Sequence, residues 1–203
     1  MAISKSLKSF KSSYLQKLVL LAFLTAIIVV LQLLAAIVPV YPFKLNLVLV
    51  PIVIGAALVS PLAGAWLGLV FGFVVIVSSP DVLPFMVFNP LATVAIILTR
   101  GIVTGFVTGW VYKILQNKGK TIAALVAATV CPIINTGIFI IGIYVFFLPL
   151  LAEWGVSGAA DIASFIFIAM VGLNFIFELA INLALSPTIV RLVQYKSSGQ
   201  EGK

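Results

Sequence analysis

The feature that most constrains this chain is the length of its apolar runs. Residues 15–38 form a stretch of more than 20 residues dominated by Leu, Val, Ala and Ile. An α-helix rises about 1.5 Å per residue, and crossing the hydrocarbon core of a bilayer takes about 20 residues. The run is long enough to span. Five further apolar stretches follow, at about 45–59, 62–79, 88–114, 121–148 and 163–192. In lipid, a helix satisfies its own backbone donors and acceptors. The expectation is an all-α integral membrane protein, a bundle of six transmembrane helices. Composition agrees: 63% of residues are hydrophobic and 8% charged, against about 25% charged in a soluble domain. Such a chain cannot cover itself with polar groups, and its partner surface is the lipid bilayer.

The breaks between runs carry turn chemistry. "PVYPFK" stops the first helix through its prolines. Ser60–Pro61 makes a tight turn, and "SSPDVLPF" and "PLLAEWGVSGAAD" read as loops. The stretch 45–59 is too short to cross upright and is expected to be bent or partly re-entrant. The basic N-terminus "MAISKSLKSFKSSYLQK" precedes an apolar run longer than the roughly 7–15 residues of a signal-peptide core, so the first helix is read as retained. The organisation is a basic segment over 1–15, one membrane domain over 16–194 and a polar tail over 195–203. Six spans put both ends on one side. Lys5, Lys8, Lys11, Lys17, Lys113, Lys118, Lys120, Arg191, Lys196 and Lys203 then share that side, while Lys44, Asp81, Glu153 and Asp161 face the other. Basic residues collect on the cytoplasmic side, so N-in and C-in is expected, in a multi-pass topology. The net charge of +7 records this orientation and not a nucleic-acid partner.

Several activities are excluded by what is missing. There is no histidine and one cysteine, Cys131. A disulfide within the chain and a cysteine metal cluster are ruled out, and the commonest general base is absent. No phosphate-binding loop with its lysine occurs, so the chain does not hydrolyse ATP. "GVSGAAD" lies in a loop without a histidine and is a poor hydrolase candidate. Asn89–Pro90 is followed by Leu91 and has no partner box, against a water channel. Neither an enzyme nor a cofactor or metal site is expected.

Polar residues at membrane depth cost free energy unless satisfied, which marks them as functional candidates. Arg100 lies roughly 18 Å below the outer end of its helix and Glu178 roughly 22 Å below the outer end of the last, at about 1.5 Å per residue. Asn174 is one turn from Glu178 on the same face. Two readings stand for Arg100: a buried ion pair with Glu178, which satisfies both, or an anchor for something bound. The stretch "CPIINTGIF" adds Asn135, Thr136 and Gly137 to the outer half of its helix, next to Pro132. Its plain reading is a proline-kinked helix whose Asn bonds a neighbour. Its functional reading is a substrate contact, with Asn89 and Asn174 converging on one outer cavity. Phe43, Phe85, Phe88, Phe139, Tyr144 and Trp154 lie towards that side, as interfacial belt, core or pocket wall. Gly64, Gly68 and Gly72, and Gly101, Gly105 and Gly109, recur every fourth residue. Each run makes a smooth helix face for close packing.

These features together resemble the substrate-binding S components of energy-coupling factor (ECF) vitamin transporters, over nearly the whole chain. "LAFLTAIIV" carries Ala22 and Ala26, which fit the family's AxxxA signature; "LNLVLVPIVIGAALVSPLAGAWLGLVFGF" and "FNPLATVAIILTRGIVTGFVTGWVYK" are similar to its second to fourth helices. "PIINTGIFIIGIYVFF" looks most like the pantothenate-specific members. The resemblance implies a protein that captures a water-soluble vitamin at the outer face. The gating loop would hold Tyr41, Pro42 and Phe43, and substrate contacts would come from Lys44, Asn46, Asn89, Arg100, Asn135, Thr136, Gly137 and Asn174. It implies docking through Ala22 and Ala26 onto a transmembrane coupling subunit driven by two ATPase subunits. A vitamin carboxylate needs charge-assisted donors, which Arg100 or Lys44 could supply. Riboflavin, folate and cobalamin members share the scaffold. The competing class is a stand-alone secondary transporter using Glu178, although no repeat relates residues 1–100 to 101–203.

Overall fold

The computed structural model describes residues 2–37 and 47–201, and every regular element among them is helical. In chain order these are α1 (Ala2–Ile37), α2 (Leu49–Leu58), α3 (Pro61–Ser78), α4 (Leu83–Phe88), α5 (Pro90–Leu115), α6 (Lys120–Phe146), α7 (Leu148–Glu153), α8 (Ala159–Ser164) and α9 (Leu173–Glu201). A 3₁₀ turn, Pro80–Val82, leads into α4, and a π-helical segment, Phe165–Gly172, joins α8 to α9. Among the described residues, four stretches are long and apolar enough to cross a membrane: Tyr14–Ile37, Pro61–Ser78, Pro90–Leu115 and Lys120–Phe146. The protein is thus an all-helical membrane protein.

Two helix starts share one local solution. In "SPLA" and "NPLA" the first residue caps and the proline takes the first helical position. Ser60 Oγ accepts from Ala63 N and Asn89 Oδ1 from Ala92 N, each at 3.1 Å. Proline suits this position because its missing N–H would have no helical acceptor there.

The expected outer loops are partly helical. "SSPDVLPF" forms the 3₁₀ turn and the start of α4, and "PLLAE" lies within α7. Pro84 and Pro149 stand in the first turns of α4 and α7, where a preset φ favours a helix. The first helix reaches back to Ala2, well before the expected start at 16. The last expected span, 163–192, lies in a helical run from Ala159 that is interrupted by the π segment. Such π turns in helices are frequent at functional sites.

Helix α2 is ten residues long and lies inside the bundle, against α1, α3, α5, α6 and α9. Leu49, Ile52 and Val53 are fully buried. It is apolar all round, as a helix surrounded by others must be. One core cluster gathers α2 with Leu24 and Ile28 of α1, Leu67 and Phe71 of α3, and Ala124, Ala127 and Ala128 of α6. The most extensive helix pair is α3 on α5, and here the glycine runs meet. A Cβ on Gly68 would run into the carbonyl of Gly101, and one on Gly64 into that of Gly105. The two backbones touch, so the stripes serve internal packing.

Candidate functional site

The Arg100 side chain is the natural starting point. Gly101 and Gly105 turn one face of α5 onto α3, and Arg100, one residue back, points beside that seam. Its guanidinium carbon lies 5.8 Å from the ring centre of Phe71 on α3 and 5.4 Å from that of Phe139 on α6. A cation over aromatic faces gains about 0.5–2 kcal/mol, most where water is excluded. Its Nε is buried and has no hydrogen-bond partner among the described residues. Two carboxylates act on the charge, Glu178 of α9 more strongly than Asp81 of the 3₁₀ turn.

Asn135 stands one turn before Phe139 on α6. It is 4% exposed, and its Oδ1 has no hydrogen-bond partner among the described residues. Leaving such a group unmatched costs about 1–3 kcal/mol. Arg100 Nε on α5 and Asn135 Oδ1 on α6 are thus a buried donor and a buried acceptor without hydrogen-bond partners among the described residues. A molecule with a carboxylate and a neighbouring hydroxyl or amide N–H would satisfy both. Thr136 and Gly137 are half-buried, and a Cβ added at Gly137 would meet nothing within 4 Å, so open space lies beside the stretch. Glu178 is 8% exposed, and its backbone carbonyl accepts from Asn182 Nδ2 at 2.8 Å. Asn174, one turn before it, is half-buried and engaged in interactions of its own.

Aromatic side chains cluster around α4 and α7. Phe85 of α4 meets Phe147 edge to face at 5.0 Å and Trp154 at 5.8 Å. Phe88 lies 6.1 Å from Phe147, and Trp154 lies 6.3 Å from Phe165. Phe139 packs against the same cluster, so one ring both carries Arg100 and joins these rings.

The structure thus brings Arg100, Asn135 and Glu178 to one region. Asn89 is set apart from them in role, since its Oδ1 caps α5. Lys44, Asn46 and the gating residues Tyr41, Pro42 and Phe43 lie outside the described residues. Two clefts lie away from Arg100. One of about 210 Å³ sits between the Ser60–Pro61 turn and Tyr112, Lys113 and Gln116. The other, about 270 Å³ and apolar, lies between α1 and α2. Ala22 and Ala26 are exposed on α1, opposite the buried Leu24 and Ile28. Phe71 was not among the sequence candidates, nor were the buried hydroxyls Thr104 and Thr108 of α5 and the buried Asn182 and Ser186 of α9. Their four-residue spacing from Arg100 and from Glu178 was the available signal.

Comparison with known proteins gives this arrangement a setting. Residues 16–190 match the family of ECF transporter substrate-specific components. A curated relative, the pantothenic acid transporter PanT of Lactococcus lactis subsp. cremoris (strain MG1363), is 30% identical over 197 residues, covering 89% of this chain and 94% of that protein. No solved structure matches. An all-helical bundle with several membrane-length helices fits that description, and the chain belongs to the family of ECF transporter substrate-specific components.

Proposed function

We propose that this protein is the pantothenate-binding component of an ECF importer in a bacterial cell membrane. Six spans, counting α2 and the helical run Ala159–Glu201, would leave both ends in the cytoplasm, in line with the basic residues at Lys113, Lys118, Lys120 and Arg191. The observation that carries the reading is the buried Arg100 guanidinium, held over Phe71 and Phe139 with Nε unmatched. Pantothenate offers a carboxylate for Arg100 and an amide and hydroxyls for Asn135 and Thr136. Lys44 and Asn46, with the loop through Tyr41, Pro42 and Phe43, would close over it. The PanT relative supports this vitamin over riboflavin, folate or cobalamin. ATP hydrolysis belongs to two partner subunits acting through a membrane coupling subunit.

The test is calorimetry on the purified protein, without any ATPase, against a panel of vitamins. Pantothenate is expected to bind tightly and the others not. Tight binding of a different vitamin would correct the substrate, and binding of none would remove the capture role. Uptake by proteoliposomes lacking the ATPase module would bring forward proton coupling through Glu178.

The docking half of the reading has its own test. Ala22 and Ala26 are exposed, one turn apart, on α1, and small residues let a partner helix approach closely. Ala26→Leu should leave pantothenate affinity unchanged and reduce ATP-driven uptake by about tenfold or more, the equivalent of about 1.4 kcal/mol of lost docking. Normal uptake by this variant would move the coupling-subunit interface off α1.

A further inference from the structure

Arg100 stands where two apolar clusters of the bundle adjoin. Phe71, 1% exposed, belongs to the cluster that gathers α1, α2, α3 and α6. Phe139 packs on the other, with Ile143, Phe147 and Phe85. Helix α5 contributes Ile97 to the first cluster and Ala92 and Ile96 to the second. Both α3 and α6 pack against α5, so the Arg100 side chain leaves its helix between these neighbours. A ring from each neighbour faces the guanidinium carbon, at 5.8 Å for Phe71 and 5.4 Å for Phe139.

The rings are not equivalent. Phe71 is locked in the core, whereas Phe139 is half-buried. Phe139 also follows Asn135 by one turn on α6, and residues one turn apart are neighbours on a helix face. Asn135 is 4% exposed, with Oδ1 unmatched among the described residues. Phe139 thus faces the cation across the α5–α6 contact and borders the amide along its own helix. A guanidinium carries its N–H donors around the edge of a plane. An aromatic ring attracts the charge through its face and leaves those donors to a carboxylate. Arg100 Nε is unmatched in this way among the described residues. An arginine without such a restraint samples many rotamers, and affinity falls with the fraction that is competent to bind.

We infer that Phe139 is a positioning residue for the anionic end of the substrate: its ring holds the Arg100 guanidinium ready for a carboxylate and so sets the preference for an acid over a neutral ligand. The inference rests on the pantothenate reading above and names the residue that makes that site selective for charge. Phe139 acts through Arg100 and has no need to touch the vitamin itself. One cation–π contact corresponds to about two- to thirtyfold in an equilibrium. Loss of the ring lowers the competent fraction of Arg100 by a factor within that range, and affinity for the acid falls with it.

The test compares pantothenate with its alcohol analogue, in which a hydroxymethyl group replaces the carboxylate, on the purified full-length protein. Pantothenate is titrated directly by calorimetry, and the alcohol by displacement of bound pantothenate. In Phe139→Leu, which removes the ring and keeps an apolar side chain, the preference for the acid is expected to fall by about tenfold, with affinity for the alcohol unchanged. Phe139→Tyr keeps a ring and should keep the wild-type preference. Phe139→Met is measured alongside, so that a leucine variant that fails to fold still leaves a ring-free protein to test. An equal loss for both compounds would make Phe139 a packing residue and overturn the proposal. An unchanged preference in the ring-free variants would overturn it too, while leaving the pantothenate reading in place. A wild type that binds pantothenate no better than the alcohol, or binds neither, would overturn the proposal together with the carboxylate contact it rests on.

Discussion

Arg100→Ala is expected to abolish measurable pantothenate binding while the protein remains folded. Removing one partner of a desolvated charge pair costs about 2–5 kcal/mol, which is about 30- to 4,000-fold in affinity. Within the protein the guanidinium lies over two rings at 5.4 and 5.8 Å, its Nε has no partner among the described residues, and the charge of Glu178 acts on it. Glu178 sharpens the test. If Arg100 exists mainly to neutralise Glu178, the single variant leaves a buried carboxylate uncompensated and destabilises the protein strongly. In that case Arg100→Ala with Glu178→Ala would be more stable than Arg100→Ala alone, and binding would be retained whenever the protein folds. If Arg100 waits for the vitamin carboxylate, thermal stability without ligand changes little and affinity collapses. Thermal melts with and without pantothenate on the two single variants and the double variant separate the cases, since residues that do not interact give additive effects. Retained affinity in a folded Arg100→Ala would assign the anion to Lys44 or to backbone donors.

Four of the six expected spans and the close packing of α3 on α5 were readable in the sequence because they rest on repeated, redundant signals. A run such as 15–38 loses nothing if one residue is misjudged, and Gly101, Gly105 and Gly109 state a helical face three times over. Arg100 was readable because a lone charge in an apolar run is costly wherever it lands. Its surroundings were not. Phe71 sits between Leu67 and Gly72 in a stretch whose obvious message is close packing, and only the crossing of α3 on α5 brings its ring under the guanidinium. The capping bond of Asn89 Oδ1 to Ala92 N shows only in the structure, although a short polar side chain before proline suits a cap. The helices α4 and α7 have six residues each, less than two turns, so no periodicity could reveal them. The lines Arg100–Thr104–Thr108 and Glu178–Asn182–Ser186 were visible as spacing, but threonine and serine in apolar helices usually bond their own backbone. Only tertiary structure shows which of them do not.

Glycine substitutions offer the second large effect, because the same change should act oppositely at two positions. At Gly105 an added Cβ would run into the backbone of Gly64, with Ala65 N at 3.0 Å. No rotamer change relieves a clash between two main chains, so α3 and α5 must separate along their longest contact. Overpacking in a core costs about 1–3 kcal/mol where side chains can shift. Here they cannot, and Gly105→Val should fall at or beyond the upper end of that range. A loss of about 3 kcal/mol corresponds to a melting temperature lower by about 6–12 °C for a protein of this size, and the visible result is little folded protein recovered from the membrane. At Gly137 the added Cβ meets nothing within 4 Å, and alanine is favoured over glycine in a helix interior by up to about 1 kcal/mol. Gly137→Ala should therefore melt at or above the wild-type temperature. Its binding then reads the purpose of the open space. A stable Gly137→Ala with weakened pantothenate affinity would mean that the vitamin comes close to the α6 backbone there. Unchanged affinity would remove Gly137 from the site and leave the contact to Asn135 and Arg100. A Gly105→Val protein that melts like the wild type would contradict the backbone contact itself, and with it the reason α5 presents Arg100 to Phe71 and Phe139.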